Sequence, residues 1–240
     1  MYQWQSFGIS VIGPSHIKKN IPNQDSFLEE HGDNFDCIVV ADGVGSSKYS
    51  NIGSAFICNA VVNAIKIILK QNKQFVIEHF IEKIKKIFLD SITPINTNEC
   101  ATTCLFAIHI YSKVYIGMLG DGLCSVTLEN NEIKILSDDK SDKFSNITTA
   151  ISENTKFTDW KTLEISDNEF RSVLICTDGI SDDLSENIKK FTLDFSNNYC
   201  VKDKTKNDNV KDILESLLTW KVPKHSDDKT IACLYKIGEL

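Results

Sequence analysis

Three apolar runs in this chain stop at an Asp-Gly pair, and the carboxylates at those stops are the residues best placed to do chemistry. Residues 37–45 carry Asp42 and Gly43, residues 172–180 carry Asp178 and Gly179, and residues 115–122 carry Asp121 and Gly122 in a looser copy. A buried strand that ends in a carboxylate and then glycine lets a ligand come close to both side chain and main chain. Taken singly, each pair also fits a two-residue hairpin turn. Asp42 and Asp178 fit it badly, because each is followed by a helix-like segment and lacks an immediate partner strand of matching length. No Lys or Arg lies within five residues of either. Carboxylates gathered without such neutralisation repel one another unless a cation sits between them. An all-oxygen donor set suits Mg2+ or Mn2+ and not a structural Zn2+.

Further acids extend the set. Asp25 begins a second strand, Asp227 and Asp228 precede the last one, and Asp182 lies four residues past Asp178, on the same face if a helix begins there. His16, Lys18 and Lys19 belong to a polar basic loop over residues 15–28. Beside an acidic cluster such a loop supplies the positive groups that a phosphorylated substrate needs in addition to a metal. His31, His79, His109 and His225 sit in settings that suggest structural roles.

The elements that must position these residues follow from periodicity. Strands are expected over residues 6–14, 101–110, 113–118, 123–128, 133–136, 160–165, 170–176 and 231–237, several of them joined as hairpins. Helical stripes run through Ile57, Val61, Ile65 and Ile68, through Ile77, Phe80, Ile81, Ile84 and Phe88, and through Val210, Ile213, Leu214, Leu217 and Leu218. Residues 137–159 are polar and read as a long mobile segment near the site; residues 202–209 read as a charged loop. Strands outnumber helices, and the helices come in groups, which fits an α+β domain with helices outside antiparallel sheets.

Composition excludes several classes. With 33 acidic against 26 basic residues the net charge of -7 argues against nucleic acid as a partner. No apolar stretch is expected to span a membrane, and the first residues show no export signal. Most of the eight cysteines sit inside apolar runs, so they are expected to be reduced thiols of a cytoplasmic protein. No linker or repeat interrupts the 240 residues, so one domain over 1–240 is expected.

Asn23-Gln24-Asp25, Ala41-Asp42-Gly43-Val44-Gly45, Leu119-Gly120-Asp121, the run from Cys176 through Asp178 to Asp182, and Asp227-Asp228-Lys229-Thr230 occur in the order and rough spacing of one family. Together they resemble the metal-dependent Ser/Thr protein phosphatases of type 2C. The resemblance implies a four-layer sandwich, two antiparallel β-sheets flanked by helix pairs, with two Mg2+ or Mn2+ ions between the sheets. It implies that Asp42 bridges both ions, that the Gly43 carbonyl binds one, and that Asp178 and Asp227 bind the other. Asp25 would act through metal-bound water, and Asp121 and Asp182, with Asp178, match the ligands of a third, weaker site. The chemistry implied is direct hydrolysis of phosphoserine and phosphothreonine by a metal-bridging hydroxide. The implied partner is a phosphorylated protein, with a paired Ser/Thr kinase; a monomer is expected.

The chain departs from the family at several points. The loop before Asn23 has no arginine to hold the substrate phosphate, which leaves His16, Lys18 or Lys19 for that task, and Ser15-His16 resembles a bacterial branch lacking that arginine. Gln24 stands where many members have glutamate, Val44 where eukaryotic members have histidine, and Asp228 where asparagine is usual. The missing arginine raises a rival reading, a pseudophosphatase that binds a phosphoprotein without turnover, whereas retention of every metal carboxylate favours catalysis. A small-molecule phosphohydrolase is a second rival.

Overall fold

The computed structural model describes residues 2–71, 74–137, 149–184, 187–223 and 225–238. Ten strands form two antiparallel five-stranded sheets. The first contains β1 (Tyr2–Val11), β10 (Lys229–Gly238), β9 (Phe170–Cys176), β6 (Leu123–Leu128) and β7 (Ile133–Ser137), in that order. The second runs β2 (Asp25–Gly32), β3 (Phe35–Asp42), β4 (Cys104–Ile110), β5 (Lys113–Leu119) and β8 (Lys161–Ser166).

The strands alternate because each sheet buries both faces. In β3, Ile38 and Val40 enter the layer between the sheets, where they meet Leu105, Ile116, Val173, Ile175 and Leu234. Cys37, Val39 and Ala41 face the other way, against α2 (Ser50–Lys70) and α3 (Ile77–Ile92). The first sheet is covered by α4 (Asp178–Leu184), α5 (Ile188–Tyr199) and α6 (Lys206–Leu218), through Ile180, Phe195, Ile213 and Leu217 on Leu174, Cys176 and Cys233. Complete burial of such a side chain stabilises the fold by about 1.5–3 kcal/mol, so three apolar layers hold the two sheets face to face. All eight cysteines are free and buried in them.

Several elements differ from the sequence reading. Part of the basic loop is a short helix, α1 (Pro14–Lys19), opened by Pro14 at its first turn and closed by Asn20 at φ 54. The first strand begins earlier, at Tyr2, and stops at Val11. α5 was not expected at all, and α6 begins inside the supposed charged loop, at a capping box in which Thr205 and Asp208 bond each other's backbone N–H. Of the segment read as mobile, residues 138–148 lie outside the described residues. The rest is anchored at two points: Ile151 is buried with its N–H bonded to the Thr102 carbonyl, and Thr155 is buried. α2 is, against expectation, long and apolar enough to cross a membrane, and half of its apolar window is buried against the second sheet and α3.

Neither Asp42 nor Asp178 sits in a hairpin. β3 leads into α2, and Asp178 opens α4. The third Asp-Gly pair makes the crossing from β5 in one sheet to β6 in the other, with Gly120 at φ +95 and Gly122 at φ +113, a backbone that other residues adopt only with strain.

Candidate metal centre

Strand parity decides where the carboxylates go. Asp42 shares the face of Ile38 and Val40, so its side chain enters the layer between the sheets at the end of β3. Asp25 is its direct cross-strand partner and shares that face. From the opposite sheet, Thr177 follows Val173 and Ile175 inward, and its hydroxyl donates to Asp25 Oδ2 at 2.9 Å. Asp178, one residue on, is thereby set at the same end of the sandwich as Asp42.

The electrostatics record this convergence. Asp42 and Asp178 stand close enough for each carboxyl to shift the other's pKa. Burial is the first cause that raises the Asp42 pKa well above the ordinary range, followed by the charges of Asp25 and Asp178. Asp178 is raised from 3.8 to about 6, by burial and then by Asp121 and Asp227. Asp25 is raised from 3.8 to about 7 by burial, against the hydrogen bonds from Thr230 and Thr177 that pull it down. Repulsion of this kind is what a divalent cation relieves, and the donors are all oxygen, the set that Mg2+ or Mn2+ takes. Among the described residues no three His, Cys, Asp or Glu side chains close on one point as a finished cage. The proximity of the acids is pairwise, and each of the raised carboxyls marks a place where cation charge would fit.

Around the carboxylates lies a network of hydroxyls and amides. Ser10 joins Thr230 at 2.6 Å and accepts from the Asn23 amide at 2.7 Å, while Asn23 Oδ1 accepts from the Asp25 N–H at 3.0 Å. The Thr103 hydroxyl accepts from the Asp42 N–H at 2.9 Å, and the Thr102 hydroxyl donates to the Asp42 carbonyl at 2.8 Å. Asn23 belongs to a motif visible in the sequence. Thr177 and Thr230 lie inside such motifs too but were given no role, and Ser10, Thr102 and Thr103 were missed, because each acts on a residue far away in the chain.

Asp228 is a clamp. Its buried carboxylate accepts from the Gly13 N–H at 2.6 Å and the Gln24 N–H at 2.7 Å, and it meets His16 Nδ1 at 2.9 Å. His16 is thus engaged at the edge of the cluster, next to Asp227, while Lys18 and Lys19 are exposed on α1. Gly179 completes the fit: a Cβ there would lie 1.9 Å from the Asp228 carbonyl oxygen.

On the helix side of the first sheet, a cavity of about 200 Å3 opens beside the centre, lined by Asp178, Asp182, Asp183, Asp227, His225 and Lys229, among others. Asp121 and Asp182 both act on Asp178, so the sequence-expected acids do gather at this end.

The profile of the protein phosphatase 2C family matches residues 12–215, a span that holds Asp25, Asp42, Asp121, Asp178 and Asp182 and ends before Asp227. No curated protein matches the chain by sequence. Among solved structures, a bacterial serine phosphatase matches with a TM-score of 0.68 at 18% identity, covering 99% of this chain and 100% of that one. RsbX in complex with magnesium matches at 0.64 and 17% identity, again over 99% and 100%. The catalytic domain of the serine threonine protein phosphatase PstP, in complex with two manganese ions, matches at 0.64 and 13% identity over 99% and 100%. At such identities the likeness is one of fold.

Proposed function

The chain belongs to the protein phosphatase 2C family, and from that premise we propose that it hydrolyses phosphoserine and phosphothreonine in proteins, using Mg2+ or Mn2+ held by Asp42, the Gly43 carbonyl, Asp178 and Asp227. The observation that carries this reading is the convergence of Asp25, Asp42 and Asp178 at one end of the sandwich: Asp25 pairs with Asp42 across β2 and β3, Thr177 of the opposite sheet bonds Asp25, and burial together with mutual repulsion raises all three carboxyls. Divalent ions bound there supply Lewis acidity and a water acidic enough to attack phosphorus at neutral pH. The magnesium and manganese complexes of the structural relatives support that choice of ions. Asp121 and Asp182 would serve a third, weaker ion from the cavity side.

The chain's own groups do the rest. Asp25 is fixed by Thr177 and raised to about 7, so its carboxyl can take a proton from the attacking water near neutral pH. The Thr102 and Thr103 hydroxyls hold the Asp42 backbone in place, and the Asp228 clamp holds α1 against the centre. Lys18 and Lys19, exposed on that helix, give positive charge to the approach of a phosphorylated side chain, though without the bidentate grip of an arginine. Phosphate release from phosphoserine and phosphothreonine peptides by EDTA-stripped protein tests the reading. Turnover should be absent until Mg2+ or Mn2+ is restored. Peptide binding without release under either ion would replace hydrolysis by phosphoprotein binding.

A further inference from the structure

Lys229 is the cation among the described residues that line the cavity beside the centre, and it is only 3% exposed. Parity places it with Ile231 and Cys233 on the helix side of β10, away from the layer between the sheets. Its ammonium donates to the Asp227 carbonyl at 3.2 Å and stands 5.9 Å from the centre of the Trp220 ring. The Trp220 indole N–H in turn donates to Asp183 Oδ2 at 2.6 Å, which fixes a carboxylate beside the ammonium. Desolvation works against the charge of Lys229, and Asp183, Asp227 and Asp228 work for it, in that order. A lysine so deeply placed is retained only where partners compensate it.

We propose that Lys229 is a tethered counter-cation: its ammonium neutralises the cavity-side carboxylates and so weakens their hold on a divalent ion. The wall of this cavity includes Asp178 and Asp227, which also face the proposed metal centre. A fixed positive charge at that wall repels a second cation and leaves the outer side of the centre with a low affinity, to be filled last and lost first. The inference rests on reading these carboxylates as cation ligands, and not on hydrolysis.

The test is calorimetric titration of MnCl2 into EDTA-stripped protein, comparing the unmutated chain with Lys229→Met, Lys229→Arg and Asp183→Asn. Lys229→Met should tighten the weakest Mn2+ step by about tenfold, or add a step, since removing a unit charge beside carboxylates that bind a dication is worth about that much even at high effective dielectric. Lys229→Arg should keep the original isotherm. Asp183→Asn, which leaves the ammonium less neutralised, should weaken the same step. Tightening by Lys229→Met, or by Lys229→Gln where the methionine variant fails to fold, with the original isotherm kept in Lys229→Arg, separates the proposal from a packing role. Equal isotherms for the unmutated chain and a folded Lys229→Met, or tightening by Asp183→Asn, would overturn it. A chain that binds Mn2+ as inferred yet releases no phosphate would count against the proposed hydrolysis alone.

Discussion

Replacing Asp178 with asparagine should stabilise the metal-free protein while it removes a cation ligand. The Asp178 carboxyl is raised from 3.8 to about 6 by burial and by Asp121 and Asp227. A carboxyl raised on folding gives its full stability only below the unfolded value, and that stability is lost as the pH rises through the folded one. At pH 7 the ionised group therefore costs roughly 3 kcal/mol, at 1.36 kcal/mol per pKa unit. One effect opposes the gain from neutralising it. Asp178 lies in the first turn of α4, where a negative charge is worth about 0.3–1 kcal/mol against the helix dipole. The net should be a gain of about 2 kcal/mol, or roughly 4–8 °C in Tm for a chain of this size. Thermal unfolding in EDTA at pH 7.5 and pH 5 reads it directly. The variant should melt higher than the unmutated chain at pH 7.5, the difference should shrink toward pH 5, and Mg2+ should raise only the unmutated chain. A variant that melts lower at pH 7.5 without metal would show that Asp178 serves as a turn or helix start and that the repulsion argument is wrong.

Gly179→Ala should destabilise the protein by about 1–3 kcal/mol, since its new methyl meets the Asp228 carbonyl oxygen; an unchanged midpoint in urea would contradict that packing. Thr177→Val removes a donor that holds the Asp25 carboxyl down, so the rise of phosphatase rate with pH should move to higher pH, and an unmoved profile would remove Asp25 from the proton transfer. His16→Ala takes one partner from Asp228 and should lower stability by about 1–2 kcal/mol with little change in Mn2+ affinity. Lost Mn2+ binding in a folded His16→Ala protein would instead make the imidazole part of the centre.

The strands and the acids at their ends were legible in the sequence because both signals are local. An apolar run closing on Asp-Gly shows where Asp42 and Asp178 must sit; period-2 alternation turns Asp42 into the layer between the sheets, while Asp178 comes one residue after the inward-facing Thr177, where α4 begins. The helices were legible only where their buried face is apolar. α5 escaped because that face includes Thr192 and Ser196, which bond Ser125 at 2.9 Å and Ser172 at 2.9 Å across to the first sheet, so a polar pattern concealed a packed helix. α1 has six residues and no apolar periodicity, and only Pro14 and Asn20 mark its ends. The hydroxyl network was beyond reach for a different reason. Ser10 meets Thr230 because β1 pairs with β10 in a register set 220 residues apart, and Thr177 meets Asp25 across two sheets. The counter-cation Lys229 lay in plain view inside a motif, but its burial depends on Trp220 and Asp183, which lie in other elements.

The central claim is that acids from two sheets form one divalent-cation centre, and calorimetry of Mn2+ binding in two buffers of different ionisation heat tests it most directly. Binding displaces protons from the raised carboxyls of Asp25 and Asp42 near neutral pH, and from Asp178 as the pH falls toward 6. The account predicts saturable binding to the unmutated chain with proton release that is larger at pH 6 than at pH 8, and loss of the tightest step in Asp42→Asn. Mn2+ binding that survives Asp42→Asn unchanged, or no binding to the unmutated chain, would contradict it.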